Sequence, residues 1–319
     1  MNGKASISQW FRLFRAANLL MIIFTQVLAW FYIIRPLYHI HNVGLQLSIP
    51  DFILLVLTTV LIAAGGYLVN DIFDIDVDDF NKRNNIIIKK LSLKSAWAIY
   101  FVLNAIAIAL GMYLAIQAGS YQLGFVFIVI AGLLYLYSSR YQAKLLWGNI
   151  IIACITAMVV LVVWLFEFMS IRDDPDSFVN ALTIIPVIST FIWSYALFAF
   201  LLSIIREFIK DIQDIEGDTR FGSHTLPIAI GLPTMKIIII AGIVISMVIL
   251  AIGQAYLLNY GFRYAFWYLI MTVQAFFIYL IYLIVKAKVP GNFATPSLVA
   301  KIIMVAGILS MQLIYLDLA

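Results

Sequence analysis

The chain has 319 residues, 64% of them hydrophobic and only 11% charged, with a mean hydropathy of +1.04. A soluble domain carries about 25% charged residues, so these side chains cannot supply a polar coat and lipid must be the outer solvent. One cysteine, Cys154, excludes an intrachain disulfide scaffold, and the net charge of +4 points to membrane topology and not to nucleic acid, given where the cations lie.

Apolar runs of about 18–25 residues bounded by charges predict membrane-spanning helices. The first covers 10–34, too long for a signal-peptide core of roughly 7–15 residues. Its opening, Trp10-Phe11-Arg12-Leu13-Phe14-Arg15, suits a short helix in the headgroup layer. Further runs follow at 51–70, 96–117, 121–138, 147–167, 179–205, 235–258, 263–285 and 298–316. The apolar stretch 226–232 holds Pro227 and Gly231 and reads as the entry to the seventh span. Strands are not expected, because an open sheet edge is unsatisfied in lipid. The expected fold class is therefore all-α: one polytopic bundle of about nine transmembrane helices, a single domain over 1–319.

With nine spans and the N-terminus inside, every lysine and arginine except Arg35, Arg172 and Arg263 falls on the inner side. The positive-inside rule then places the N-terminus in the cytoplasm of a cell-membrane protein. The acids are more informative. Asp51, Glu167, Asp173, Asp174, Asp176 and Asp317 lie on the outer side. Every other acid belongs to one of two inner clusters: Asp71, Asp74, Asp76, Asp78 and Asp79, then Glu207, Asp211, Asp214, Glu216 and Asp218.

The first cluster continues from the second span, the second from the sixth. Acids at 71, 74 and 78 and at 211, 214 and 218 share one spacing, offset by 140 residues, which suggests a four-helix unit used twice. On a helix these positions fall within an arc of roughly 60°. Each cluster then presents one carboxylate stripe, with Asp76 and Asp79 elsewhere and with Gly217 loosening the last turn of the second. A single acidic run at a helix end is usually a solvated loop. Two of one spacing, holding all the inner acids, are a site. Stacked carboxylates repel, and a hard divalent cation with oxygen ligands removes the cost; Mg2+ suits best where waters and phosphates complete the shell. Two such sites facing each other would clamp a diphosphate.

Asn70-Asp71-x-x-Asp74-x-x-x-Asp78 resembles the first signature of the UbiA superfamily of intramembrane prenyltransferases, and Asp214-x-x-x-Asp218 its second. The stretch from Arg206 to Asp218, continuing to Thr225-Leu226-Pro227, is similar to the digeranylgeranylglyceryl phosphate synthase-like branch. The resemblance covers nearly the whole chain. It implies Mg2+, as two ions, held by Asn70, Asp71, Asp74, Asp78, Asp211, Asp214 and Asp218. It also implies an allylic prenyl diphosphate donor and a lipophilic acceptor, in ether-lipid synthesis. Asp74, Asp78, Asp214, Asp218, Tyr137 and Lys144 are the expected catalytic residues; Arg15, Asn18, Asn70, Lys82, Lys89, Arg206 and Lys210 are expected to bind substrate. The chain departs from the family pattern at Asn85, where an arginine is usual, and at Gln142, which takes a lysine position and leaves Lys144 two residues on. Gly148-Asn149 matches it, and Arg15-Ala16-Ala17-Asn18 is similar to its early Arg-Pro-x-Asn. Aromatic faces, among them Tyr67, Phe73, Tyr135, Tyr137, Trp193, Tyr195 and Phe198, could stabilise an allylic cation.

Two rivals remain at this level. An aromatic acceptor of quinone biosynthesis would use the same donor site. A divalent-cation transporter would also use intramembrane acids, but here no acid sits midway along a span on a pathway.

Overall fold

The computed structural model describes residues 7–80, 85, 87, 91–142 and 144–318. A short helix, α1 (Ile7–Leu13), precedes the first span, α2 (Ala16–Ile40). The second span, α3 (Ile49–Phe73), runs into a short helix, α4 (Ile75–Phe80). Spans α5 (Leu93–Gln117), α6 (Gln122–Tyr141) and α7 (Trp147–Arg172) follow, then a short α8 (Pro175–Ala181). The sixth span, α9 (Ile185–Gln213), leads into a short α10 (Ile215–Arg220). The last three spans are α11 (Leu226–Asn259), α12 (Arg263–Lys286) and α13 (Pro290–Leu318). Among the described residues, nine helices are thus long and apolar enough to cross a bilayer.

The first, sixth and seventh spans have boundaries that differ from the sequence expectation. The run at 10–34 splits at Arg15, whose backbone is left-handed (φ 48°, ψ 54°), so the amphipathic opening is a helix of its own. The span then continues to Ile40, because a π-helical turn at Trp30–Ile34 accommodates Pro36. The sixth span reaches Gln213 and not 205, because its buried face continues through Ile205, Ile209 and Ile212 beneath the acids. The seventh begins at Leu226 with a kink at Gly231 (φ 78°) ahead of Pro233. Strand appears among the described residues only as two-residue segments, β1 (Lys144–Leu145) and β2 (His224–Thr225), paired in parallel.

α3 packs against α5 and α6, and α9 against α7, α11 and α13; α2 touches α3, α7 and α13, joining the two halves. Close approach to α3 needs Gly65 and Gly66: a Cβ at either would stand 2.7 Å from Asn104 Nδ2 or 2.8 Å from Leu134 Cδ1. At the end of the bundle away from the acidic motifs, the buried Glu167 carboxylate accepts hydrogen bonds from Trp30 Nε1 (2.6 Å) and the backbone N–H groups of Gln46 (3.0 Å) and Leu47 (3.4 Å). That carboxylate ties the α2–α3 loop to α7.

Candidate active site at the two acidic motifs

α3 ends at Asp74, where φ −89° and ψ 9° leave the helical region; α9 ends at Asp214 with φ −95° and ψ 1°. Beyond each bend the chain turns helical again, Asp78 N–H donating to the Asp74 carbonyl (2.8 Å) and Asp218 N–H to that of Asp214 (2.9 Å). The expected straight stripe is therefore bent at its middle acid, at equivalent positions in both motifs. Gly217 does not loosen the second motif into loop; it is buried inside α10. Asp71, Asp74, Asp78, Asp211, Asp214 and Asp218 are half-buried, whereas Asp76, Asp79 and Glu216 are exposed. α4 packs against α10, so the two motifs meet at one end of the bundle.

Neighbouring elements aim each carboxylate. The left-handed backbone of Arg15 turns its guanidinium onto α3, where Nη2 donates to Asn70 Oδ1 (2.8 Å) and Asp71 Oδ1 (3.0 Å). The same guanidinium lies 4.9 Å from the centroid of the Tyr67 ring. Burial opposes the Arg15 charge, yet Asp71 beside it holds the group above its ordinary pKa. Asn70 Nδ2 donates to Asp74 Oδ2 (2.9 Å) and to Gln142 Oε1 (2.7 Å), and Gln142 Nε2 donates to both Asp74 oxygens (3.1 Å each). Burial pushes the Asp74 carboxyl above the ordinary carboxylate range. In the second motif Asn149 Nδ2 donates to Asp211 Oδ2 at 2.7 Å. One connection, from the π-helical turn at Tyr137–Tyr141 to the start of α7, thus carries an amide to each motif.

The sequence profile described as the UbiA prenyltransferase family matches residues 40–295. The chain belongs to this family. It is therefore a prenyltransferase and a multi-pass membrane protein. It is 30% identical to the digeranylgeranylglyceryl phosphate synthase of Sulfolobus acidocaldarius over 234 residues, which are 73% of this chain and 76% of that one. Its fold is similar to that of a solved UbiA homologue from Aeropyrum pernix K1 in the apo state, with a TM-score of 0.64, 18% identity, and coverage of 93% and 98% of the two chains. It is also similar to that of a UbiA homologue from Archaeoglobus fulgidus bound to DMAPP and Mg2+, with a TM-score of 0.56, 16% identity, and coverage of 95% and 98%.

In this UbiA-family chain the donor set fits a hard divalent cation. Among the described residues, Asp74 and Asp211 accept side-chain hydrogen bonds from neutral amides alone, and no direct ion pair cancels either charge. Every side-chain donor that the motifs offer is oxygen. Among the described residues no three acids, histidines or cysteines converge tightly.

Several expected residues sit differently. Lys144 does not join the first motif: it is exposed on β1, its Nζ 5.5 Å from the centroid of Tyr141, and Gln142 is the residue that reaches Asp74. β1 pairs with β2, Lys144 standing opposite His224. Arg206 Nη1 and Lys210 Nζ both bond the buried carboxylate of Glu207, each at 2.8 Å. Asn18 lies beside the Tyr67 hydroxyl on α3, one turn before Asp71. Tyr137 lies within the electrostatic reach of Asp74, Glu207 and Asp211, between the motifs. Lys82 and Lys89 lie outside the described residues. Phe73 and Tyr135 are exposed and pack around Trp97, and Trp193 is exposed.

Three residues went unassigned in the sequence. Asn85, buried, donates to the Asp71 carbonyl (2.8 Å) and Asp78 Oδ2 (3.0 Å), and so holds the chain beyond α4 on the motif. Glu207 and Gln142 were the others. For Asn85 and Gln142, an amide where the family pattern has a cation was the available signal.

Proposed function

We propose that this prenyltransferase moves the prenyl group of an allylic prenyl diphosphate onto geranylgeranylglyceryl phosphate, forming a second ether-linked chain. What carries the reading is the meeting of two half-buried acidic motifs, bent alike at Asp74 and Asp214, with α4 packed on α10. The name of the Sulfolobus acidocaldarius relative supports the acceptor, and the DMAPP and Mg2+ of the Archaeoglobus fulgidus homologue support the donor and metal.

Asn70, Asp71, Asp74 and Asp78 would hold one Mg2+ and Asp211, Asp214 and Asp218 a second. Bound there, the ions would neutralise charge developing on the departing diphosphate. Asn70, Gln142 and Asn149 orient carboxylates without cancelling them. Arg15 bridges Asn70 and Asp71 and adds positive charge at the leaving group. The Tyr67 and Tyr137 rings supply π-faces to an allylic cation, in an apolar bundle that excludes water from it. Carbon–oxygen cleavage releases diphosphate, and the acceptor hydroxyl oxygen then bonds the freed carbon as its proton passes to solvent or to the departing diphosphate.

The chain acts as one catalytic unit over 1–319, with motifs and N-terminus on the cytoplasmic face of the cell membrane, as the lysine and arginine distribution supports. The test is incubation in detergent with Mg2+, prenyl diphosphates of several lengths and an acceptor panel, followed by mass spectrometry. The two-chain ether lipid phosphate is the expected product. Asp74→Ala and Asp214→Ala each lower turnover by about 10³-fold while the protein still expresses. Full activity in either variant removes the motifs from the chemistry, and an exclusively aromatic product removes the acceptor.

A further inference from the structure

One cation near the site has no role in the mechanism above. Lys301, on α13, makes no ion pair or hydrogen bond among the described residues, although it is half-buried in a membrane span. A lysine in that position is costly unless something anionic meets it. Its charged neighbours are Arg206, Lys210, Arg15 and Glu207. The packing explains this: α13 lies against both α9, which carries Arg206 and Lys210, and α2, which follows Arg15. On α13, Lys301 belongs to a half-buried stripe with Ser297, Met304 and Ile308. The lipid-exposed stripe of Leu298, Ile302, Val305 and Leu309 is turned about a quarter of the helix away. Lys301 therefore does not snorkel along the lipid face.

Lys301 is the cation here with no acid of its own: Asp71 answers Arg15, Glu207 is shared by Arg206 and Lys210, and Lys210 also lies within electrostatic reach of Asp74 and Asp211. Arg206 also has a buried Nε–H with no acceptor among the described residues, a donor available to a bound anion. Arg206 lies five residues before Asp211 and eight before Asp214, about 8 and 12 Å along the helix, on the bundle-interior side of the motif carboxylates.

We propose that Lys301 and Arg206, supported by Lys210, form a second anion subsite that takes the phosphomonoester of the acceptor, apart from the metal-bound diphosphate of the donor. This rests on the acceptor reading given under the proposed function. A phosphomonoester carries about −1.5 to −2 charges at neutral pH, an anion for the unpaired Lys301, and its three oxygens can accept from both the Lys301 ammonium and the Arg206 Nε–H. Its binding here would hold the glycerol end of the acceptor beside the motifs and leave its hydrocarbon chain in the bundle.

The test uses the full-length enzyme and Lys301→Met, with Lys301→Arg as the conservative variant. Initial rates are measured against geranylgeranylglyceryl phosphate, against geranylgeranylglycerol lacking the phosphate, and against the donor, with glycerol 1-phosphate as a competitive probe. Lys301→Met is expected to raise the KM for the phosphorylated acceptor about tenfold or more and to weaken glycerol 1-phosphate inhibition in step, with donor KM changed by less than about twofold; Lys301→Arg recovers most of the loss. Removing the acceptor phosphate and removing Lys301 should be non-additive. An unchanged acceptor KM in Lys301→Met overturns the subsite, and a donor KM that rises equally assigns Lys301 to the diphosphate instead. A wild-type enzyme that refuses the phosphorylated acceptor while prenylating another sinks the acceptor reading itself, before any variant is made.

Discussion

Gly148 opens α7 one residue before Asn149, and its missing side chain positions the residues that reach both motifs. A Cβ there would stand 2.8 Å from the Tyr141 carbonyl oxygen, 3.2 Å from Tyr137 Cε2 and 3.3 Å from Gln142 Cα. Ordinary contact is about 3.5 Å, so Gly148→Ala forces the Tyr141–Gln142 backbone to retreat by roughly 0.7 Å. Backbone cannot swing aside as a side chain does. Overpacking of this kind costs about 1–3 kcal/mol, which lowers the unfolding midpoint without abolishing the fold. The catalytic cost is larger, because the displaced segment carries the amide on Asp74 and the Tyr137 ring. Misplacement near 1 Å costs about 10²-fold in rate, so kcat is expected to fall about 10- to 100-fold. The assay pairs steady-state turnover with thermal unfolding in the same detergent. Gly132→Ala on α6 is the control: nothing lies within 4 Å of its Cβ position, so it keeps full turnover. A Gly148→Ala enzyme with wild-type kcat would falsify the view that this connection sets the site.

Two further expectations separate stability from chemistry. Glu167→Gln keeps one acceptor but turns an NH2 group toward the donors of Trp30, Gln46 and Leu47. It should cost about 1–3 kcal/mol, seen as a lower unfolding midpoint with kcat intact; a large loss of kcat at an unchanged midpoint contradicts it. Arg15→Gly and Arg15→Ala both delete the guanidinium from Asn70 and Asp71 and should both lose turnover. Only glycine relieves the left-handed backbone, so Arg15→Gly should be more stable than Arg15→Ala by about 1 kcal/mol, and equal midpoints would show that Arg15 is not strained.

The spans were legible because lipid imposes one constraint, a long apolar run, which nine segments meet without ambiguity. The acids were legible for the complementary reason: charge at a span end is costly, and two matched clusters of it need a purpose. Boundaries that depend on local backbone geometry were not. No composition signals that Arg15 adopts φ 48°, or that a π turn carries α2 past Pro36. The bend at Asp74 was hidden too, since a spacing of three and four residues reads equally well as an unbroken helix. Lys144 was placed by linear proximity to a family position, which carries no direction; the structure has it exposed on β1, over the Tyr141 ring. The partners of the carboxylates were invisible for a different reason. Gln142 and Asp74 are 68 residues apart, and Asn149 and Asp211 are 62 apart, so only packing brings them together.

Those amides suggest why glutamine can stand where a lysine is usual. A lysine at 142 would meet Asp74 as an ion pair and satisfy much of its charge. Gln142 instead donates to both Asp74 oxygens while accepting from Asn70, fixing the carboxylate in direction and leaving its charge for a metal. Asn149 does the same for Asp211. The real cations of the site stand behind this layer, Arg15 against the first motif, and Arg206 and Lys210 around Glu207 a turn or two inside the second. Neutral amides thus hold Asp74 and Asp211, while Arg15 pairs with Asp71, and Arg206 and Lys210 pair with Glu207. The positive charge missing from the family pattern at 85 and 142 is, on this argument, not lost from the site but carried by other helices, and α13 with Lys301 completes it.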